Sequence, residues 1–308
     1  MSIRKKTLLV VGMTIFILLV SLAVTSRIMV LGGFTELEKQ ETRLDVERVL
    51  NNFSDIFAGL DATAKDWASW DASYAFVEDG NQRYIDENLT GSVLINLRLN
   101  FMLFFDEFGK LVAGKNIDLV QPAEMRLPPD FLKLPADRDL LLQHQDTAGS
   151  KTGFVMTSLG PAMVASRPIT KSDYSGPIRG ALVIGRYLDS LEIKRIASMM
   201  NLSFSVHAFN DDAKLSGFRA LLPVLYKENE IAVKPVNSKS ISGLMLQNDF
   251  YGNAAFIVEV TAPRIIYNRG RDTLVYFIIA LFIIGLISIV FMMLMLEITV
   301  VSPLSRLS

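Results

Sequence analysis

The chain has 308 residues, half of them hydrophobic, and a formal charge of −1. That balance excludes a protein built on nucleic-acid phosphates, whose contacts require a clear basic excess. Cysteine is absent, which excludes a disulfide framework, a thiolate metal site and a cysteine nucleophile.

The hydrophobic excess is concentrated at the two ends. Residues 1–6 form a short tail carrying Arg4, Lys5 and Lys6, and 7–25 is an uncharged apolar run long enough to cross a bilayer as a helix. A cleaved signal peptide is the competing reading, with Ser21-Leu22-Ala23 as its small-x-small site, but the apolar core is long for one and an uncleaved anchor is expected. The basic flank places the N-terminus in the cytoplasm. Over 34–62, Val46, Val49, Leu50, Phe53, Phe57 and Leu60 recur at three- and four-residue steps, predicting a long amphipathic helix that emerges from the membrane. A further helix is expected from about Thr63, on which Trp67, Trp70, Asp71 and Tyr74 fall at i, i+3, i+4 and i+7, one face. Asp66 would cap its start.

Leu97–Phe105 and Leu111–Ile117 read as paired strands, with Asp106 opening the turn and Gly109 taking its positive-φ position. A proline-bearing connector, Pro122–Pro135, leads to a short helix over Asp137–Gln145 and then to strands Thr152–Leu159, Pro161–Pro168 and Gly180–Leu188. Helix Leu188–Met200 precedes strands Ser203–Phe209, Ile241–Gln247 and Ala254–Thr261. This pattern predicts an antiparallel α+β class. It divides into a module over 63–188 and a smaller membrane-proximal α/β part over 189–268. Residues 273–296 form a second uncharged span, so both termini lie on one side and the central domain on the other. Arg264, Arg269 and Arg271 crowd the outer side of that span, against the positive-inside rule, but long domains translocate largely regardless of charge.

The stretch around the tryptophans resembles a known family. D-W-A-x-W-D (Asp66, Trp67, Trp70, Asp71), Y-x-F (Tyr74, Phe76), N-x-x-Y-I-x-x-N-L (Asn81, Tyr84, Ile85, Asn88, Leu89) and D-x-x-G-K-L-V (Asp106, Gly109) together resemble the CHASE domain of type 4, an extracellular sensory domain of bacterial membrane receptors. The resemblance runs from about Asp45 to the second span. It implies a Cache-like or PAS-like periplasmic domain in the inner membrane, with a long N-terminal helix and an antiparallel sheet. Residues 297–308 contain P-L-x-x-L just after the span, which looks like the opening of a HAMP linker, with Ser302 as cap and Pro303 in the first turn. HAMP linkers are bundles of two chains, so the resemblance implies a homodimer and an output beyond this sequence, a diguanylate cyclase, phosphodiesterase or histidine kinase.

Aromatics around a carboxylate can line a small-molecule pocket, which makes Trp67, Trp70, Asp71 and Tyr74 candidate ligand residues; they could equally be the core-facing stripe of a helix. Arg167 and Arg186 sit near strand ends, where each could pair with an anionic ligand or with Asp71, or could point to water. His144 and His207 are the only histidines and lack metal-ligand spacing, and no nucleophile elbow, phosphate loop or His-Glu-x-x-His is present. No catalysis, metal or cofactor is expected. The reading is a signal-sensing receptor part whose partners are the membrane, a second copy and an unknown signal. Its rival is an anchored periplasmic module that binds a protein. A weaker third is a hydrolase with a histidine beside a serine and a carboxylate.

Overall fold

The computed structural model describes residues 3–132, 140–209, 216–227, 230–296 and 298. Two compact units emerge, one of Met1–Thr42, Pro235–Ile241 and Pro263–Ser308, the other of Arg43–Lys234 and Ser242–Ala262. The expected HAMP opening over 297–308 lies, apart from Ile298, outside the described residues.

The first unit pairs the start of helix α1 (Ile3–Ala68) with helix α8 (Ile265–Leu296), and both are long and apolar enough to cross a membrane. They run antiparallel. Gly270 abuts Phe34 and Gly285 abuts Leu19, fifteen residues on along α8 (285 − 270) and fifteen back along α1 (34 − 19). A Cβ at Gly270 would fall 2.4 Å from Phe34 Cγ, so the helices meet there only because the side chain is missing; at Gly285 it would meet the Leu19 methyl end, which can turn aside. Beyond the apolar stretch Arg264 Nε donates to Glu38 Oε2 at 3.0 Å and its Nη2 stands 2.9 Å from the same oxygen, both residues buried. Arg264 is thus an internal tie neutralised by its partner, which removes it from the charges that oppose the expected orientation.

In the second unit the rest of α1 buries Val46, Val49, Phe53, Leu60, Ala64 and Ala68 along one stripe. The separate helices expected over 34–62 and from Thr63 are therefore one unbroken element of 66 residues. It stops later than the pattern implies it should break, at Ala68. Trp70 is extended (φ −112°, ψ 130°) and helix α2 (Asp71–Asp79) begins after it. The four-residue stripe Trp67, Trp70, Asp71, Tyr74 is thus split across a bend, because the Ala68 carbonyl accepts from Thr170 N (3.0 Å) instead of continuing the helix. Asp66 lies in the last turn of α1 and caps nothing.

Helices α3 (Gln82–Asn88) and α4 (Gly91–Leu97) follow, capped by Asn81 and Thr90. Strand β1 (Phe101–Asp106) therefore starts four residues after the expected Leu97, which ends α4. Next come β2 (Leu111–Asp118), β3 (Ala123–Met125), a single helical turn α5 (Pro129–Leu132), β4 (Lys151–Thr157), β5 (Gly160–Pro168) and β6 (Gly180–Tyr187). All pairings are antiparallel, in the order β3-β2-β1-β6-β5-β4. Central β1 is buried on both faces. Met102 and Phe104 enter the core under α1 and α2, while Phe101, Leu103 and Phe105 meet Phe131, Leu141 and Leu142 on the other face. At the β1–β2 turn the Asp106 carboxylate accepts from Phe108 N and Lys110 N, and Gly109 takes φ 73°, as its turn chemistry predicts. Of the short helix expected over Asp137–Gln145, residues 137–139 lie outside the described set and 140–145 form turns and irregular chain.

Helix α6 (Ser190–Met200), capped by Asp189, leads to a second sheet of β7 (Ser203–Ala208), β8 (Ala232–Pro235), β9 (Ser240–Asn248) and β10 (Ala254–Pro263), ordered β7-β10-β9-β8. A helical turn, α7 (Leu222–Leu225), covers part of its outer face with Phe218. The two sheets share one core on α1. Phe154 of β4 stands edge-on to Phe53 (5.3 Å), Phe57 (5.0 Å) and Phe256 of β10 (4.8 Å).

Candidate ligand site

The two tryptophans join a run of rings that fill space with one another. Trp67 is edge-on to Trp70 (6.1 Å), Trp70 lies 6.0 Å from Tyr84, and Tyr84 stacks on Phe76 (4.3 Å), which meets Phe104. Tyr84 bonds the Ser73 hydroxyl at 2.7 Å, and burial pushes its phenol up to about 12. Trp70 is 42% exposed at the helix bend. Phe76, Tyr84 and Phe104 belong to the core of a helix–sheet contact, with Trp67 packed against it and Trp70 at its exposed edge.

Asp71 and Tyr74 do something else. They hold the β5–β6 connection, residues 169–179, against the α1–α2 bend. Asp71 accepts from Ser172 N at 2.9 Å and Ser172 Oγ at 3.1 Å; Tyr74 donates to Pro177 O at 3.2 Å. The Arg179 guanidinium lies 4.2 Å over the Tyr74 ring and pairs with Glu78. With Thr170 on the Ala68 carbonyl, three residues of the sequence signature clamp this loop.

Neither arginine reaches Asp71. Arg167 forks onto Asp61 of α1, Nε to Oδ1 at 2.7 Å and Nη2 to Oδ2 at 2.5 Å, and its Nη1 donates to Ala148 O at 2.7 Å. Arg186 donates to Arg98 O and to Glu192. On adjacent strands Arg167 faces Leu182 and Arg186 faces Met163. That is a four-residue offset, about 13 Å along the strands. The six expected ligand residues thus fall into four places: the ring cluster, the loop clamp and two separate arginine sites.

Arg167 opens on a cavity of about 320 Å³, which it lines with Lys65 of α1, Ser69 just past the end of α1, Pro168 of β5, Thr147 and Tyr174. Tyr174 belongs to the clamped loop and holds a left-handed φ of 59°, which costs a non-glycine residue energy. Burial pushes the Asp61 carboxyl up, but the Arg167 and Ser150 hydrogen bonds and the Arg167 and Lys65 charges outweigh it, and Asp61 titrates below its usual range. One carboxylate faces two cations, so the cavity carries net positive charge beside two hydroxyls and a phenol ring. Such a site suits a small solute with an anionic group. Asp61, Lys65 and Ser69 were not among the residues the sequence pointed to. They recur every four positions, one residue after the buried stripe Leu60, Ala64, Ala68, and that flanking stripe was their signal. Tyr174 sits in an aperiodic loop that offered none.

Two histidines do stand beside serines. His207 Nε2 lies 3.0 Å from both Ser205 Oγ and Glu259 Oε2, so serine and carboxylate share one nitrogen, whereas a relay needs them on opposite ones. Ser166 donates to Leu141 O and so accepts from His144 Nε2. Burial, with Lys151 and Arg167 nearby, drives His144 down to about 4. Ser166 is fully buried and therefore no accessible nucleophile.

A family model described as the CHASE4 domain matches residues 53–207. Over its full length the chain is 25% identical to the methanogenesis regulatory histidine kinase FilI of Methanothrix harundinacea (strain 6Ac), and it spans 34% of that protein. A domain assigned to a sensory box/GGDEF family protein from Vibrio parahaemolyticus superposes with a TM-score of 0.53 at 11% identity, covering 76% of this chain and 99% of that one. The extracellular domain assigned to the histidine kinase vpHK1S-Z8 gives 0.50 at 11%, covering 77% and 95%. At these identities the structural likeness shows a shared fold.

Proposed function

The chain belongs to the CHASE4 domain family, and on that premise we propose that it is the extracytoplasmic signal-sensing part of a two-pass membrane receptor. α1 and α8 provide the spans, both termini lie in the cytoplasm, and the domain between them lies outside. The signal is a small solute with an anionic group that enters the cavity beside Arg167 and Lys65. The observation that carries this reading is the clamp: the family's signature residues Asp71 and Tyr74 hold the loop whose Tyr174 walls that cavity. A ligand that prefers one position of this loop shifts the α1–α2 bend by its differential affinity for the two states, and by no more than that. The output beyond this sequence is a histidine kinase, as in FilI, and the receptor works as a homodimer.

The test uses thermal unfolding of the full chain in detergent micelles against a library of small metabolites. Trp67 and Trp70 are the only tryptophans, so their fluorescence reports the second unit. A ligand at about a hundred times its Kd stabilises by about 2.7 kcal/mol. A shift lost in Lys65→Ala, with the unliganded midpoint unchanged, is the expected result. Shifts that survive both Lys65→Ala and Tyr174→Ala would exclude this cavity, and a silent library would favour a protein partner.

A further inference from the structure

A second concentration of charge lies where β6 gives way to α6. Glu192, in the first turn of α6, is buried, and three guanidinium groups converge on it. Arg195 donates from Nε to Oε2 at 2.8 Å and from Nη2 to Oε1 at 2.5 Å; Arg186 donates from Nη1 to Oε1 at 3.1 Å; Arg98 Nη2 stands 3.7 Å from Oε2. Within ion-pair distance, three positive charges meet one negative charge. The Arg186 side chain is only 12% exposed, and arginine does not shed its proton at any physiological pH. Titration therefore offers no relief. Glu192 accepts hydrogen bonds from Arg195 and Arg186, so Arg98, 3.7 Å away, is the cation its hydrogen bonds do not use.

The geometry leaves donors to spare. Arg186 Nε is taken by the Arg98 carbonyl at 2.6 Å, and Arg195 Nη1 by the Met199 sulfur. Among the described residues, Arg98 Nε and Nη1 and Arg186 Nη2 make no protein hydrogen bond. Arg98 caps α4 at a left-handed φ of 56°, a conformation that favours glycine, yet this position carries a long cation that reaches the cluster. The first amides of α6, Leu191 N and Glu192 N, are already taken by Asp189, so whatever binds here is held by guanidinium groups.

We propose that Arg98 and Arg186, backed by the charge of Arg195, form an anion site, separate from the cavity beside Arg167, that takes a small oxyanion: phosphate, sulfate or a carboxylate. Planar guanidinium forks suit an acceptor with two or more oxygens, and the bound charge offsets the excess around Glu192.

The experiment measures tryptophan-fluorescence melting of the full chain in micelles with phosphate, sulfate or succinate, against chloride at equal ionic strength. At least one oxyanion raises the midpoint saturably; a tetrahedral ion or the carboxylate being preferred identifies the source. Arg98→Ala weakens the apparent Kd about tenfold or more, the loss of one charge-assisted contact. Arg98 is half exposed, and alanine meets the same cost at this φ, so the unliganded midpoint holds; Arg98→Gln repeats the reading should it not. Arg83→Ala, at an exposed arginine on α3, keeps the full response. A rise no larger than that of chloride, or an unchanged Kd in both Arg98 variants, overturns the proposal.

Discussion

Arg167→Met removes the fork that ties β5 to α1 and leaves the Asp61 carboxylate with Ser150 as its remaining side-chain donor. The magnitude follows from exposure. Breaking a fully buried ion pair costs about 3–5 kcal/mol because a charge is left unpaired, while an exposed pair contributes about 0–1 kcal/mol. The two side chains are 13% and 22% exposed, nearer the buried limit, and the pair is bidentate. The expected cost is about 2–3 kcal/mol, scaled down from the buried figure for partial solvent screening. At about 2–4 °C per kcal/mol for a domain of this size, the midpoint falls by about 4–12 °C. Tryptophan fluorescence of the full chain in micelles reads it, and the cycle with Asp61→Asn isolates the pair. The double variant should be more stable than the sum of the singles predicts, by about 1.5 kcal/mol or more. A midpoint drop below about 2 °C, or a coupling near zero, would refute the reasoning: the pair would then be solvent-screened, and the 147–150 loop held by other contacts.

Two further outcomes are expected. Gly185→Ala places a methyl 2.2 Å from Phe101 Cζ and 2.8 Å from Met163 O in the middle of the larger sheet. It should cost about 1–3 kcal/mol, read as a lower melting midpoint; an unchanged midpoint would mean that the sheet yields there without strain. At acid pH, Glu259 supplies a titratable term. The His207 hydrogen bond holds it below its usual range, against the opposing effect of burial and with help from Ser242 and from the His207 and Lys234 charges. A depressed carboxylate stabilises above its unfolded value near 4.5 and loses that contribution as pH falls through its folded value. Wild type should therefore lose more stability on acidification below about pH 4.5 than Glu259→Gln does. Parallel pH–midpoint curves would rule this out.

The sequence by itself determined what local pattern can carry. Two uncharged apolar runs, the amphipathic stripe of α1, the Asp106–Gly109 turn and the period-two strands are encoded in neighbouring residues, and the D-W-A-x-W-D stretch identified the family. Only the tertiary structure decided where α1 stops, because the competitor for the Ala68 carbonyl is Thr170, about a hundred residues away. Long-range pairing likewise settled the charges. Arg167 chose Asp61 and Arg186 chose Glu192, choices between carboxylates that no periodicity ranks, since ion pairs form by proximity in the fold. For the same reason Asp71 and Tyr74 were recognisable as a signature, yet their work became visible only when the β5–β6 loop came to rest on them. Hydrophobic spacing fixes which face of an element is buried; what that face meets depends on the rest of the chain.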